Sequence, residues 1–233
     1  MRAHPILLML LLIPLAPAAA APTRHELMAD VVVSAEGRVT EFSVGEEYKG
    51  MEAVLREVVS KWTFLPATVD DKPVDIHTTL VMTLHADPGA GGEGQARLEY
   101  RGNGSGVERM VTPRYPSLAF QDGAAGIVLL AVSHDATGRV TEVTVRESRA
   151  SRPQYRKAFD IASTYAVRSW VFKPERINGV ALPGKALIPV VFTVDSGDQV
   201  PRLPPSPESE ALAAGPAVLL RSEVPLVLQG AAR

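Results

Sequence analysis

The sequence predicts an α+β fold built from two tandem ββαβ units, each a three-stranded antiparallel sheet packed by one helix. Three internal echoes carry this reading. Gly37-Arg38-Val39-Thr40-Glu41 returns as Gly138-Arg139-Val140-Thr141-Glu142, 101 residues on. Trp62-Thr63-Phe64-Leu65-Pro66 returns as Trp170-Val171-Phe172-Lys173-Pro174, 108 residues on. Val81-Met82-Thr83-Leu84 matches Val191-Phe192-Thr193-Val194 at an offset of 110. Segments that recur in one order, with offsets that drift only by small insertions, mark a duplicated unit.

Each unit opens on an apolar run, 30–34 in the first copy and 127–133 in the second. A turn at Gly37 or Gly138 follows, where a positive φ costs glycine little. A second run, 39–44 or 140–145, completes a hairpin. The period then changes from two to that of a helix. Met51, Val54, Leu55, Val58 and Trp62 share one predicted face, and Phe159, Ala162, Ala166 and Trp170 share the other. Pro66 and Pro174 stop the helices. Turns at Asp70-Asp71 and Asn178-Gly179 lead to closing strands over 78–84 and 187–194.

The flanking segments differ in composition. Met1-Arg2-Ala3-His4, an apolar run to Ala21 and the small residues Ala18 to Ala21 describe a secretory signal peptide. Cleavage after Ala20 assigns 1–20 to the leader. The rival reading is a retained membrane anchor, but the 17-residue run contains Pro14 and Pro17, and a span needs about 20 apolar residues. The resulting division is 28–87 for the first unit, 88–107 for a Gly-rich linker with room for a short strand at Leu98-Glu99-Tyr100, 108–195 for the second unit and 196–233 for a Pro/Ala-rich tail, whose apolar islands at 217–220 and 224–228 are candidates to dock.

The 233 residues carry 24 Lys+Arg and 26 Asp+Glu, a net charge of −2. That balance gives no footprint for nucleic acid. The chain has no cysteine, which excludes disulfides, thiolate metal sites, a thiol nucleophile and a lipid-modified N-terminal cysteine. The histidines show no i,i+3 or i,i+4 metal pair, so no metal and no cofactor is expected.

The second unit resembles the C-terminal domain of the TonB energy-transducer family. Pro113-Arg114-Tyr115-Pro116-Ser117-Leu118-Ala119, the Gly138-Arg139-Val140 turn, Ser148, Trp170-Val171-Phe172-Lys173-Pro174 and the last Val-Val-Phe strand carry the likeness over about Pro113 to Val194. The first unit is similar over about Met28 to Leu84, through its Gly-Arg-Val turn and its Trp-x-Phe-x-Pro end. It lacks the Tyr-Pro lead-in.

The resemblance implies a periplasmic, non-enzymatic domain. Such a domain pairs an extended segment of an outer-membrane TonB-dependent receptor, the TonB box, with its last strand. Carried onto this chain, the binding edge is Leu187, Ile188, Val190, Val191, Phe192, Thr193 and Val194. Pro189 lacks an N–H and interrupts a ladder on one side. A cleaved leader and the lack of a Pro-rich rod before the domain depart from a transducer. Alternatives are an anchored transducer on the periplasmic side of the inner membrane, and an envelope scaffold whose units pair edge to edge within the chain or in a homodimer.

Other signals have plainer readings. Trp62, Trp170, Phe64 and Phe172 read as core, and Tyr115-Pro116 as a pin ahead of the first strand. Gly179 to Lys185 is one residue short of a P-loop, and it runs from helix to strand. Asp195-Ser196-Gly197 after an apolar strand is reminiscent of aspartic peptidases. That chemistry needs a second carboxylate, so a turn is the better reading and no enzyme is expected.

Overall fold

A computed structural model describes residues 23–87, 95–195, 197–203, 219–221 and 227–228. The expected leader, its expected cleavage site and most of the tail lie outside the described residues. In chain order the strands and helices are β1 (Thr23–Val33), β2 (Val39–Val44), α1 (Glu52–Ser60), β3 (Phe64–Leu65), β4 (Ala67–Val69), β5 (Lys72–Val74), β6 (Ile76–Asp87), β7 (Gln95–Gly104) and β8 (Gly106–Arg109). Then follow α2 (Ser117–Gln121), β9 (Gly126–His134), β10 (Val140–Ala150), α3 (Arg156–Val167), β11 (Val171–Lys173), β12 (Arg176–Ile177), β13 (Val180–Ala181), β14 (Gly184–Phe192), β15 (Leu219–Arg221) and β16 (Val227–Leu228).

The first sheet runs β2-β1-β6, antiparallel throughout, with β7 and the small β12–β13 hairpin both added to β6. The second runs β10-β9-β14-β15. The three-stranded expectation is therefore corrected: among the described residues the sheets have six and four strands. The reason is physical. A three-stranded sheet exposes a row of backbone groups at each edge, and here neighbouring chain covers part of them.

The expected linker is the largest departure. Residues 95–104 form β7, paired with β6 from Thr79↔Gly104 to Asp87↔Gln95. Leu98 and Tyr100 pack against the first core, and Arg97, Glu99 and Arg101 alternate with them. That period-two pattern is a strand signal, outweighed at sequence level by the surrounding glycines.

Each sheet packs a helix on one face. Leu27, Ala29, Val31 and Val33 of β1 meet Leu55 and Val59 of α1 and Leu80 and Met82 of β6. In the second core, Val128, Leu130 and Val132 of β9 and Ile188, Val190 and Phe192 of β14 meet Phe159 and Val167 of α3. The α1 face differs from expectation. Leu55 and Val59 are buried, whereas Met51, Val54 and Val58 are exposed, Val54 at 63%. The short helix contacts its sheet through one narrow stripe, and the 3₁₀ turn Glu46–Met51 before it shifts Met51 out of phase. Trp62 is half-buried and edge-on to Phe64 and Tyr100, whereas Trp170 is buried.

Two glycines hold matching positions. Gly37 (φ +77°) and Gly138 (φ +81°) turn their hairpins in the left-handed region. Each carbonyl accepts the N–H of a phenylalanine, Phe64 or Phe172, at 2.8 Å. A Cβ at either glycine would lie 2.0 or 1.9 Å from that phenylalanine's own carbonyl oxygen. So Gly-Arg-Val and Trp-x-Phe are two halves of one contact in each sheet. The turns at Asp70-Asp71 and Asn178-Gly179 also have positive φ at both residues, as tight hairpins require.

The sheets are joined by polar contacts, buried around Glu175 and exposed at Lys173. Glu175 is 3% exposed, and its Oε1 accepts from Thr78 Oγ1 at 2.5 Å and Asn103 Nδ2 at 2.9 Å. Its N–H donates to Ser105 Oγ at 3.3 Å. Lys173 reaches across to Asp30 at 2.6 Å. Met28 and Val107 pack against the second core.

Candidate partner-binding edge

β14 is the strand on which the sequence placed a binding edge. It runs from Gly184 to Phe192 rather than from Leu187 to Val194. Thr193 and Val194 fall beyond its end. They lead into a turn in which Gly197 N–H donates to Val194 O at 3.0 Å. The next residue, Asp198, ties this turn down: its carboxylate accepts from Arg152 Nε at 2.9 Å and Ser151 Oγ at 2.8 Å. The Asp195-Ser196-Gly197 motif is thus followed by a structural clamp, and Ser196 itself lies outside the described residues.

What holds β14 is a lattice of rings. Phe192 stacks on Phe159 with centroids 4.6 Å apart, and Tyr115 meets both edge-on at 5.3 and 5.7 Å. The Tyr115 hydroxyl donates to Ala124 O at 2.6 Å. Burial, with the charge of Asp198, raises its pKa above the ordinary value. Pro116 sits extended just ahead of α2. Trp170 Nε1 donates to Val111 O at 2.8 Å. Tyr115 and Trp170 together tie the lead-in segment under the sheet. Gly126 lies against the Phe159 ring, where a Cβ would be 2.5 Å from Cδ2. Phe172 is buried and stacks on His134 at 4.8 Å, and Pro66 and Pro174 follow β3 and β11.

Side chains of β14 alternate. Ala186, Ile188, Val190 and Phe192 are buried in the second core, and Val191 on the other face is 46% exposed. The ladder with β9 runs from Gly184↔His134 to Phe192↔Gly126 with no register shift, straight through Pro189↔Leu129. An unbroken ladder at a proline places the missing donor on the side away from β9. With a period of two, the N–H groups of Leu187 and Val191 face that side as well. The outer edge is then rich in acceptors and poor in donors.

That edge is covered at one end. β15 pairs with Lys185, Ala186 and Leu187, through Arg221, Leu220 and Leu219. Among the described residues, no strand pairs with Ile188–Phe192 on the side away from β9. In the first sheet the matching strand, β6, is covered by β7 over nine pairs from Thr79 to Asp87.

The two larger open grooves, of about 450 and 770 Å³, are lined by both Asp30 and Lys173 and by no residue of β14, whereas a smaller one of about 200 Å³ is lined in part by Lys185, Ala186 and Leu187. No group of metal-binding side chains occurs among the described residues. Gly179 to Lys185 spans the β12–β13 turn and the start of β14, so it is not a strand-to-helix phosphate loop. Among the described residues, no helix is long and apolar enough to cross a membrane.

Asp198 and Asp135 make the edge's surroundings sensitive to acid. Hydrogen bonds from Arg152 and Ser151 hold the Asp198 pKa below the ordinary 3.8, and Thr137 does the same for Asp135. A carboxylate with a lowered folded pKa adds stability that is present above its unfolded value and lost as pH falls through the folded one. The wild type's resistance to urea should therefore fall below pH 3.8, and Asp198→Asn should flatten that dependence. An unchanged profile in the variant would exclude Asp198 as a contributor.

The arrangement defines a class: a small antiparallel sheet backed by one helix, with a strand edge partly open to another chain. Residues 111–194 match the family model described as Gram-negative bacterial TonB protein C-terminal. This part of the chain is thus similar to the TonB C-terminal domain. It is 38% identical over 88 residues to Protein TonB of Xanthomonas campestris pv. campestris, a match covering 38% of this chain and 37% of that one. It is 35% identical over 83 residues to Protein tonB2 of Pseudomonas aeruginosa, covering 36% and 29%. It is 28% identical over 89 residues to Protein TonB of Vibrio cholerae, covering 38% and 34%. The chain thus spans about a third of the length of the curated relatives it matches.

Proposed function

We propose that this protein is a periplasmic, non-enzymatic binding module that takes an extended partner segment at the Ile188–Phe192 edge. The partner is an outer-membrane TonB-dependent receptor or another envelope protein, and the setting is transport across the outer membrane. The single observation that carries this is the β14 edge beyond Leu187, where pairing with β15 stops and no other described strand takes over. Backbone groups there supply affinity, and alternate side chains such as Val191 supply selectivity. The likeness of residues 111–194 to the TonB C-terminal domain supports the same reading.

The first sheet is, on this reading, a second copy of the same unit in which β7 occupies the matching edge. It binds no partner at β6. The paired edge of β6 also favours a second reading, in which the units are scaffolds closed by their own chain. The two readings differ at β14.

Pro189 offers a test. Pro189→Ala restores an outward N–H and should tighten binding of a receptor's N-terminal periplasmic peptide about fivefold, for one added hydrogen bond of about 1 kcal/mol. Val191→Pro removes the remaining outward donor and should weaken binding at least as much. Titration calorimetry with both variants reads this directly. If neither variant shifts the affinity of a peptide the wild type binds, the edge is not its site. If no such peptide binds at all, the scaffold reading gains.

A further inference from the structure

The tail returns to the second sheet and to β3. Leu219–Arg221 pairs with the start of β14, and Val227–Leu228 pairs with Leu65 and Phe64 of β3. Only five residues separate these two anchors. The pairing on β14 is antiparallel and in register, Lys185↔Arg221 to Leu187↔Leu219. It uses the same outer edge that the proposed function assigns to a partner, next to the residues left open.

We infer that Leu219–Arg221 is a built-in competitor for the start of the partner-binding edge: an intramolecular strand that caps Lys185–Leu187 and must leave when an extended segment pairs along β14 beyond the open Ile188–Phe192 stretch. This rests on the proposed reading of β14, and it adds a regulator of that site.

The comparison with β7 decides which of the two covers can be displaced. β7 holds β6 through nine pairs and adds Leu98 and Tyr100 to the first core. β15 holds β14 through three pairs and lies against β7 without pairing to it. A nine-residue ladder with buried side chains is a fixed part of the fold, whereas three pairs give a cap that opens at small cost. Tethering at β3 keeps the cap close to its edge, so it rebinds without a second molecule. The register also says which groups matter. If Leu187 directs its N–H outward, as the unbroken ladder through Pro189 requires, the pairs Leu187↔Leu219 and Lys185↔Arg221 exchange hydrogen bonds and Ala186↔Leu220 does not.

The full-length double variant Leu219→Pro/Arg221→Pro removes both N–H groups from the cap and touches no residue of β14. Leu220→Pro, one position over, is its control. Two readouts are taken. The first is amide exchange at Lys185 and Leu187, which should speed up at least tenfold in the double variant. The second is binding of a labelled synthetic peptide of residues 214–223, which supplies the same segment in trans. The double variant should bind it at least tenfold more tightly than the wild type, and Leu220→Pro should lie between them.

Unchanged exchange at Leu187, or equal peptide binding by wild type and double variant, would overturn the competitor. The outcome for the broader reading is separate. If the tail peptide binds the uncapped protein but receptor-derived peptides fail to displace it, the cap stands as a structural closure and its regulatory role falls together with the proposed function.

Discussion

Gly138→Val is expected to destabilise the protein by about 3 kcal/mol or more. Two costs add. A β-branched residue held at φ +81° loses roughly 1–2 kcal/mol against glycine. Its Cβ would then lie 1.9 Å from Phe172 O, a backbone atom that cannot swing away. Relieving that collision by shifting the hairpin against β11 costs about 1–3 kcal/mol more. Gly37→Val should behave alike, because its Cβ meets Phe64 O at 2.0 Å with φ +77°. Urea unfolding monitored by far-UV circular dichroism measures both. Parallel losses at the two positions are expected if the sheets are copies of one unit. A tolerant Gly37 would show that its turn is looser than the contact it makes.

Glu175→Ala is expected to cost about 3 kcal/mol, from a different source. The carboxylate accepts from Thr78 and Asn103 at the junction of the two sheets. Removing it leaves Thr78 Oγ1 only its longer contact to Gly104 O at 3.3 Å and takes the acceptor from one Asn103 N–H, whose other donor bonds Thr78 at 3.2 Å. A buried donor left unpaired costs about 1–3 kcal/mol, and the lost short, charge-assisted bond to Thr78 adds to it. Glu175→Gln keeps an acceptor at Oε1 and should lose less. Because Thr78 belongs to β6 and Glu175 follows β11, the loss should uncouple the two halves. In the wild type both cores should melt in one transition, and in Glu175→Ala the transition should broaden or split in calorimetry. A sharp, unshifted transition would mean that the junction does not hold the halves together. Cysteine is absent from the whole sequence, so no disulfide staples either small core.

Much of the fold was legible because it is periodic. The hairpins at Gly37 and Gly138, the helices and the closing strands follow from alternation, helical spacing and turn residues. The elements that the sequence only hinted at lack those signals or have them masked. β7 sits among glycines, and only Leu98 and Tyr100 with charged neighbours betray it. β15 and β16 are two or three residues long, which no periodicity can show. Their existence depends on edges that only the folded sheets create. The exposed Val54 and Val58 show the limit of a helix-face reading, since spacing gives a stripe but not its width. At the candidate site, the strand and its proline were visible in sequence. The two-residue offset of its end was not, because Thr193 and Val194 remain β-formers outside the ladder.

The junction was not legible at all. Glu175 reads as one acidic residue after Lys173-Pro174, and nothing nearby in sequence announces Thr78 or Asn103 as its partners. Contacts between residues 72 and 97 positions apart are set by how two sheets meet. Even so, the Trp-x-Phe-x-Pro end that flagged the repeat is the segment that delivers Lys173 and Glu175 to the other sheet.

The most direct measurement is residue-resolved amide exchange on the full chain, with and without a saturating N-terminal periplasmic peptide of an outer-membrane receptor. Pairing along the edge should slow exchange at Val191, whose N–H faces away from β9, and leave the β9-facing amides of Ile188 and Val190 unchanged. Binding with protection confined to other strands, or no protection at Val191 at saturation, would contradict edge-strand addition at β14.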